Sequence, residues 1–127
     1  MIAIERLDHL VLTVADIERT CAFYATVLGL IVETFAQGRK ALRFGDQKIN
    51  LHRAGHEFEP KAEKPTPGSG DLCFIATTPM PEIIAHLHRC GAAVEVGPVE
   101  REGAAGRLVS VYIRDPDGNL IEIANRS

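Results

Sequence analysis

Residues 6–29, RLDHLVLTVADIERTCAFYATVLG, contain the clearest indication of the fold. The first part, residues 6–14, is rich in Leu and Val on both faces, as in a strand that is covered on both sides. Asp16 is then a suitable N-cap, and apolar residues recur at helical spacing up to Gly29, a suitable stop. The stretch therefore predicts a strand that is followed at once by a helix.

The same motif occurs twice along the chain, in the order strand, helix and three further strands (βαβββ). The two copies agree in the order and length of their elements rather than in residue identity. The first copy predicts strands at 6–14, 30–36, 39–44 and 48–52. The second predicts strands at 71–76, 94–99, 108–113 and 120–124, and a helix that Pro79 and Pro81 open and Gly91 ends.

A duplication of this size predicts a pseudo-twofold structure. Units below about 70 residues rarely bury enough apolar surface alone, so the halves should share a core or pair with another chain. We therefore expect one α+β domain over 1–127, with module one at 5–52, a Pro- and Gly-rich linker at 53–70 and module two at 71–125.

Composition excludes several classes of protein. The chain has 127 residues, 46% of them hydrophobic and 24% charged, which argues against disorder. A net charge of −3 provides no basic field for nucleic acid, and no apolar run is long enough to span a membrane. The N-terminus has no signal-peptide pattern, and the three widely spaced cysteines are expected to be buried, reduced thiols. These features predict a cytoplasmic protein.

Alignment of the copies places polar residues at matched positions within apolar strands. His9 corresponds to Asp71 and Asn50 to Glu122, and His52 should share a strand face with Asn50. Buried polar groups are costly unless they are paired or bind a metal, so their convergence predicts a divalent metal site. Each residue also has a structural interpretation: a hydrogen-bonded His9, a turn-capping Asp71, a solvent-facing Glu122 and a strand-ending His52.

Two segments carry a family resemblance: LDHLVLTVADIERTCAFYATVLGL at 7–30 and YIRDPDGNLIEI at 112–123. With them the chain resembles the vicinal oxygen chelate superfamily of glyoxalase I, fosfomycin-resistance proteins, extradiol dioxygenases and bleomycin-resistance proteins. The segments FGDQKINLH, KPTPGSGDLCFI and GPVEREGA resemble the subgroup called glyoxalase domain-containing protein 5. The resemblance implies a cup-shaped, partly open eight-stranded sheet around a metal, and a homodimer.

The resemblance also carries over individual ligands. His9 matches the first-strand metal ligand, and Glu122 matches the eighth-strand ligand. Asp71 stands where the metal enzymes usually hold His, and Asn50 stands where glyoxalase I holds Glu. The implied metal ligands are His9, Asp71 and Glu122, or a rearranged set that includes His52, for an ion of Zn, Ni, Mn or Fe.

Three functions follow from this set. The favoured one is a metal-dependent glyoxalase-like enzyme, a lyase or isomerase for a small substrate with vicinal oxygens, in which Glu122, Asp71 or His52 moves a proton. The first alternative is a metal-free protein that sequesters a drug, as bleomycin-resistance members do. The second is an extradiol-type Fe(II) dioxygenase, which would need the ligands His9, His52 and Glu122.

Two further residues are assigned to substrate binding. One is Asn50, with its amide in the fourth strand. The other is Arg107, which with Arg101 brackets residues 102–106, expected to be a flexible hairpin tip. Such a loop can close over a carboxylate or phosphate of a substrate, or it can be a solvated tip without a ligand.

Overall fold

The computed structural model describes residues 1–127. The chain divides into two compact units, Met1–Pro67 and Gly68–Ser127. Each unit has one α-helix and one four-stranded sheet that does not close into a barrel, so the α+β class and the repeated βαβββ order are confirmed. The elements are β1 (His9–Val14), α1 (Ile17–Leu28), β2 (Ile31–Phe35), β3 (Arg39–Phe44), β4 (Gln47–Arg53), β5 (Asp71–Ile75), α2 (Met80–Arg89), β6 (Val96–Gly103), β7 (Gly106–Arg114) and β8 (Leu120–Arg126).

The two sheets have the same topology. Their strand orders are β1-β4-β3-β2 and β5-β8-β7-β6, with the first pair parallel and the others antiparallel. Val11 of β1 pairs with Asn50 of β4, and Cys73 of β5 pairs with Glu122 of β8. Asn50 and Glu122 therefore occupy equivalent places, as the alignment of the copies predicts.

The first unit buries one sheet face beneath α1. The Asp16 carboxylate accepts a hydrogen bond from the Arg19 backbone N–H at 3.0 Å, and Gly29 ends the helix with a φ of 68°. That left-handed conformation suits glycine because it lacks a Cβ. The helix lies against β2, β3 and β4, where Leu42, Ile49 and Leu51 are almost completely buried.

The second unit is built in the same way. Pro79 precedes α2, and Gly91 follows it with a φ of 71°, so both predicted ends of this helix are confirmed. The sheet buries Val111 and Ile113 of β7 and Ile121 of β8. Neither helix of the chain is long and apolar enough to cross a membrane.

Three expectations about strands and thiols are corrected. Strand β1 begins at His9 rather than at residue 6, because the Leu7 carbonyl accepts a bond from the Gln47 side chain and forms no strand pairing. Only the second half of β1 is buried, and Val11 is 44% exposed. Cys21 is buried as expected, but Cys73 is exposed and Cys90 is only partly buried.

The hairpin of the second unit is also longer than predicted. Strands β6 and β7 extend to Gly103 and Gly106, which pair with each other, so only residues 104–105 form the tip. Gly106 has a φ of 133°, a conformation that other residues rarely adopt, and it allows this tight connection.

Candidate functional site

Each sheet has a second face, opposite its main buried apolar face, and the predicted polar residues lie there. Side chains that pair across strands share a face. The register therefore places His9, Val11, Asn50 and His52 on this face of the first sheet, the N-terminal open face. Asn50 and His52 share a face, as predicted.

His9 is the first residue of β1, and its side chain is 45% exposed. Its Nδ1 lies 2.9 Å from the Asp8 carboxylate, and this hydrogen bond lowers the pKa of Asp8. A carboxylate on one ring nitrogen fixes the ring and leaves Nε2 for another partner. His9 therefore has a geometry that suits a ligand at Nε2.

The structure does not bring His9 and His52 together. His9 pairs with Lys48 and His52 pairs with Thr13, so the two histidines are four residues apart in register. At about 3.3 Å per residue, this is about 13 Å along the strands, too far for one metal ion. The geometry of the first unit thus gives no support to a ligand set that contains both histidines.

Asn50 and His52 are both buried, at 7% and 4% exposure, although they lie on the open face. The Asn50 Oδ1 atom is buried and has no hydrogen-bond partner. The His52 Nε2 lies 3.4 Å from the Arg39 guanidinium. Burial first, and then the Arg39 charge, lower the pKa of His52 below its usual 6.5.

In the second sheet the corresponding face, the C-terminal open face, carries Asp71, Cys73, Ser110, Tyr112 and Glu122. The Ser110 hydroxyl donates a 2.6 Å hydrogen bond to Glu122 Oε2. Although Cys73 is exposed as a residue, partial desolvation of its sulfur raises the pKa of the thiol to about 11, with further contributions from the charge of Glu122 and a hydrogen bond to it. Glu122 is thus a half-buried carboxylate fixed by neutral neighbours.

Asp71 lies near Glu122 but is more exposed. It pairs with Leu120, so it is two residues from Glu122 in register and on the same face. Diagonal neighbours of this kind lie about 7–8 Å apart between Cα atoms. The two carboxylates can therefore approach one ligand, and the structure also agrees with an exposed strand end for Asp71.

Arg107 lies apart from this face. It pairs with Glu102, while its neighbour Leu108 shares the open face, so Arg107 belongs to the opposite side of the sheet. The exposed side chain lines a shallow pocket together with three neighbours of β6, and its guanidinium is 3.8 Å from Glu100. The sheet register therefore does not group Arg107 with Glu122.

Sequence reasoning missed several residues of both open faces. Ser110 and Cys73 contact Glu122, and their places follow from strand alternation once the register is known. Arg39 and Phe58 contact His52, but Phe58 lies in an irregular segment that has no periodicity to reveal it.

The chain contains no group of three His, Cys, Asp or Glu side chains that is placed to hold a metal ion. His9 belongs to the first unit, whereas Asp71 and Glu122 belong to the second.

Comparison with other proteins adds relatives of high identity. The chain is 60% identical over 121 residues to virulence protein STM3117 of Salmonella typhimurium, an alignment that covers 95% of this chain and 84% of that protein. It is 52% identical to the glyoxalase domain-containing protein RDO1 of Mycosarcoma maydis, over 98% of this chain and 70% of that protein.

Two solved structures are also similar to this chain. The crystal structure of virulence protein STM3117 from Salmonella typhimurium matches with a TM-score of 0.98, over 99% of this chain and 100% of that chain, at 57% identity. Lactoylglutathione lyase from Agrobacterium tumefaciens matches with a TM-score of 0.74, over 97% and 95% of the two chains, at 25% identity.

The family comparison covers nearly the whole chain. Residues 6–123 match the family described as the glyoxalase/bleomycin resistance protein/dioxygenase superfamily. Together with the relatives above, this match shows that the chain belongs to that superfamily, which is the one that the sequence resembles.

Proposed function

We propose that the chain is a metal-dependent enzyme of the glyoxalase type, a lyase or isomerase for a small substrate with two neighbouring oxygen atoms. The observation that carries the proposal is the fixed carboxylate of Glu122, which Ser110 holds by one oxygen on the C-terminal open face. Membership of the superfamily and the similarity to a lactoylglutathione lyase support the same class of reaction.

The candidate ligands are chemically suited to a divalent ion. His9 offers Nε2 because its Nδ1 is engaged by Asp8, and Glu122 offers Oε1 because Oε2 accepts the Ser110 bond. With Asp71 as the third ligand, the set contains one imidazole and two carboxylates, which fit Zn, Ni, Mn or Fe. Such an ion, when bound, supplies Lewis-acid stabilisation of negative charge on a substrate oxygen.

In this proposal a carboxylate of the site, Glu122 or Asp71, moves the proton at the carbon next to the substrate carbonyl. The Ser110 hydrogen bond limits rotation of the Glu122 carboxylate, so Oε1 keeps one orientation on the open face, where it serves either as a metal ligand or as the base but not as both at once. His52 is the alternative base. Its Nε2 lies 3.4 Å from the Arg39 guanidinium, so a proton taken up there would place two positive charges side by side.

Metal analysis of variants tests the ligand set. We expect about one ion per chain in the purified protein and a strong loss of metal in Glu122→Gln and in His9→Ala. His56→Ala is the matched control because His56 is exposed and lies outside the open faces. Retention of metal in both ligand variants, or its equal loss in the control, contradicts the proposed ligands.

Activity tests the reaction class separately. The metal-loaded protein is expected to turn over a hemithioacetal or α-hydroxy ketone without oxygen uptake, and Ser110→Ala is expected to lower the rate by about tenfold. Oxygen consumption with a catechol would instead indicate dioxygenase chemistry.

Sequestration of a ligand without chemistry is the second candidate. It is favoured by Asn50, which places an amide where the equivalent strand of the second unit has the carboxylate of Glu122. Submicromolar binding of a small molecule by the protein after metal removal, with no turnover in the metal-loaded form, would establish this function.

We also propose that the chain forms a homodimer. Large apolar side chains are exposed on the open faces, where Val11 and Ile75 are each 44% accessible and Val96 is 42% accessible. The family resemblance implies a homodimer, and these exposed apolar side chains are candidates for its contact surface. The mass of the protein in solution, measured by light scattering, tests this proposal.

A further inference from the structure

Five side chains form a layered cluster on the N-terminal open face. Phe35 ends β2, Arg39 begins β3, Lys48 and His52 belong to β4, and Phe58 follows in the irregular segment between β4 and β5. We call this cluster the cation–aromatic stack. All five residues belong to the first unit.

The stack alternates cations with rings. The Arg39 guanidinium carbon is 4.2 Å from the centre of the Phe58 ring and 5.3 Å from that of Phe35. Lys48 Nζ lies 3.9 Å from the centre of the Phe35 ring. The His52 ring packs edge-on against Phe58 at 5.5 Å between centroids. Two permanent cations and an imidazole therefore surround two aromatic rings.

The charges of this stack are not neutralised by ion pairs. Arg43, on the same sheet face, pairs with Glu33, whereas Arg39 and Lys48 form no ion pair with any carboxylate of the chain. The Arg39 Nε atom is buried and has no hydrogen-bond acceptor. A buried charged donor without an acceptor is destabilising, and an anion close to the guanidinium would offset part of that loss.

The Phe58 ring next to this donor is the part of the stack that a ligand could displace. Phe58 contributes one ring from a segment without regular structure and is 36% exposed. A ligand ring in its place would keep a cation–π contact with Arg39, and a carboxylate on that ring would stay close to the guanidinium charge.

We propose that the cation–aromatic stack is a binding site for an aromatic carboxylate, with Arg39 as its anchor, Lys48 as a second cation and the ligand ring in the place of Phe58. This site needs no metal ion and none of the proposed metal ligands. Its failure would therefore leave the proposed enzymatic function untouched, and the reverse also holds.

Benzoate is the probe, and the full-length protein is titrated with it while the imidazole signals of His52 are followed by NMR. We expect saturable binding that raises the pKa of His52, because an anion placed beside the imidazole favours its protonated form. Arg39→Gln should weaken binding by about tenfold or more, and Arg39→Lys should weaken it less.

Matched controls separate this site from others. Arg53→Gln removes an arginine next to His52 in sequence, but Arg53 pairs with Val14 and lies on the opposite sheet face, so its affinity for benzoate should be unchanged. Glu122→Gln should also bind benzoate normally. Benzyl alcohol has a similar shape but no charge, and it should not compete.

The proposal is overturned by the absence of saturable binding, by equal weakening in Arg39→Gln and Arg53→Gln, or by loss of binding in Glu122→Gln. Competition by inorganic phosphate at the same concentration as benzoate would also overturn it, because it would show a general anion site without selectivity for an aromatic carboxylate.

Discussion

Removal of the Asp115 carboxylate is predicted to be among the most destabilising single changes in the second unit. Asp115 is 5% exposed in the turn between β7 and β8. Its Oδ1 accepts hydrogen bonds from the backbone N–H groups of Asp117 and Asn119, both at 2.9 Å. Its Oδ2 accepts one from the Asn119 side-chain amide at 2.8 Å, and Asn119 Oδ1 accepts one from the Gly70 N–H at 2.7 Å. One carboxylate thus fixes both the turn and the start of β5.

The size of the loss in unfolding free energy depends on which hydrogen-bond donors can reach water once the Asp115 carboxylate is removed. Asn119 is 1% exposed, so in Asp115→Ala both of its donors lose their acceptor inside the protein, whereas the half-buried Asp117 N–H can be hydrated. Each buried unsatisfied donor costs about 1–3 kcal/mol, so the free energy of unfolding should fall by about 2–6 kcal/mol. Asp115→Asn retains an acceptor for the backbone bonds and should cost about 1–3 kcal/mol.

Urea unfolding followed by circular dichroism measures these losses. Asp46→Ala is the matched control, because Asp46 also lies in a turn but its side chain is 92% exposed, and it should change stability by about 0.5 kcal/mol or less. A value for Asp115→Ala within about 1 kcal/mol of this control would refute the argument, since it would mean that water satisfies the Asn119 donors.

Three further predictions concern the first unit. Because the pKa of His52 is lowered in the folded state, the unfolded chain binds its proton first, so stability should fall as the pH drops below about 6.5 and His52→Gln should reduce this fall in urea titrations at several pH values. If His52→Gln leaves the pH profile unchanged, another group is responsible. Leu42→Ala should lower the free energy of unfolding by about 2–5 kcal/mol, because Leu42 is fully buried beneath α1; a loss below about 1 kcal/mol would contradict that packing. Val11→Asp should convert the proposed homodimer to a monomer in light scattering, whereas Thr34→Asp, on the other face of the sheet, should not.

The elements of the fold could be predicted because local patterns determine them. Asp16 and Gly29 bound α1 through backbone contacts of their own, and Gly91 does the same after α2. The predicted ends of the strands were less accurate than those of the helices. The pairing that extends β6 and β7 to Gly103 and Gly106 depends on a two-residue connection, which residues 102–106 do not reveal by composition.

The site was predicted less completely because it depends on register. Alternation along one strand shows that Asn50 and His52 share a face, and this was confirmed. It cannot show that His9 is level with Lys48 rather than with His52, because the offset between β1 and β4 is fixed by the whole sheet. The face of Arg107 was inaccessible to sequence reasoning for the same reason.

The duplication explains why one chain can present two kinds of chemistry. Asn50 and Glu122 are equivalent in topology, yet the first unit has a buried amide where the second has a fixed carboxylate. A carboxylate at position 50 would pair with Lys48 or Arg39 and compete with an anionic ligand, whereas an amide leaves these cations available. Under the proposals made above, divergence at this matched position would suit the first unit to bind an anionic group and the second to bind a metal ion or move a proton.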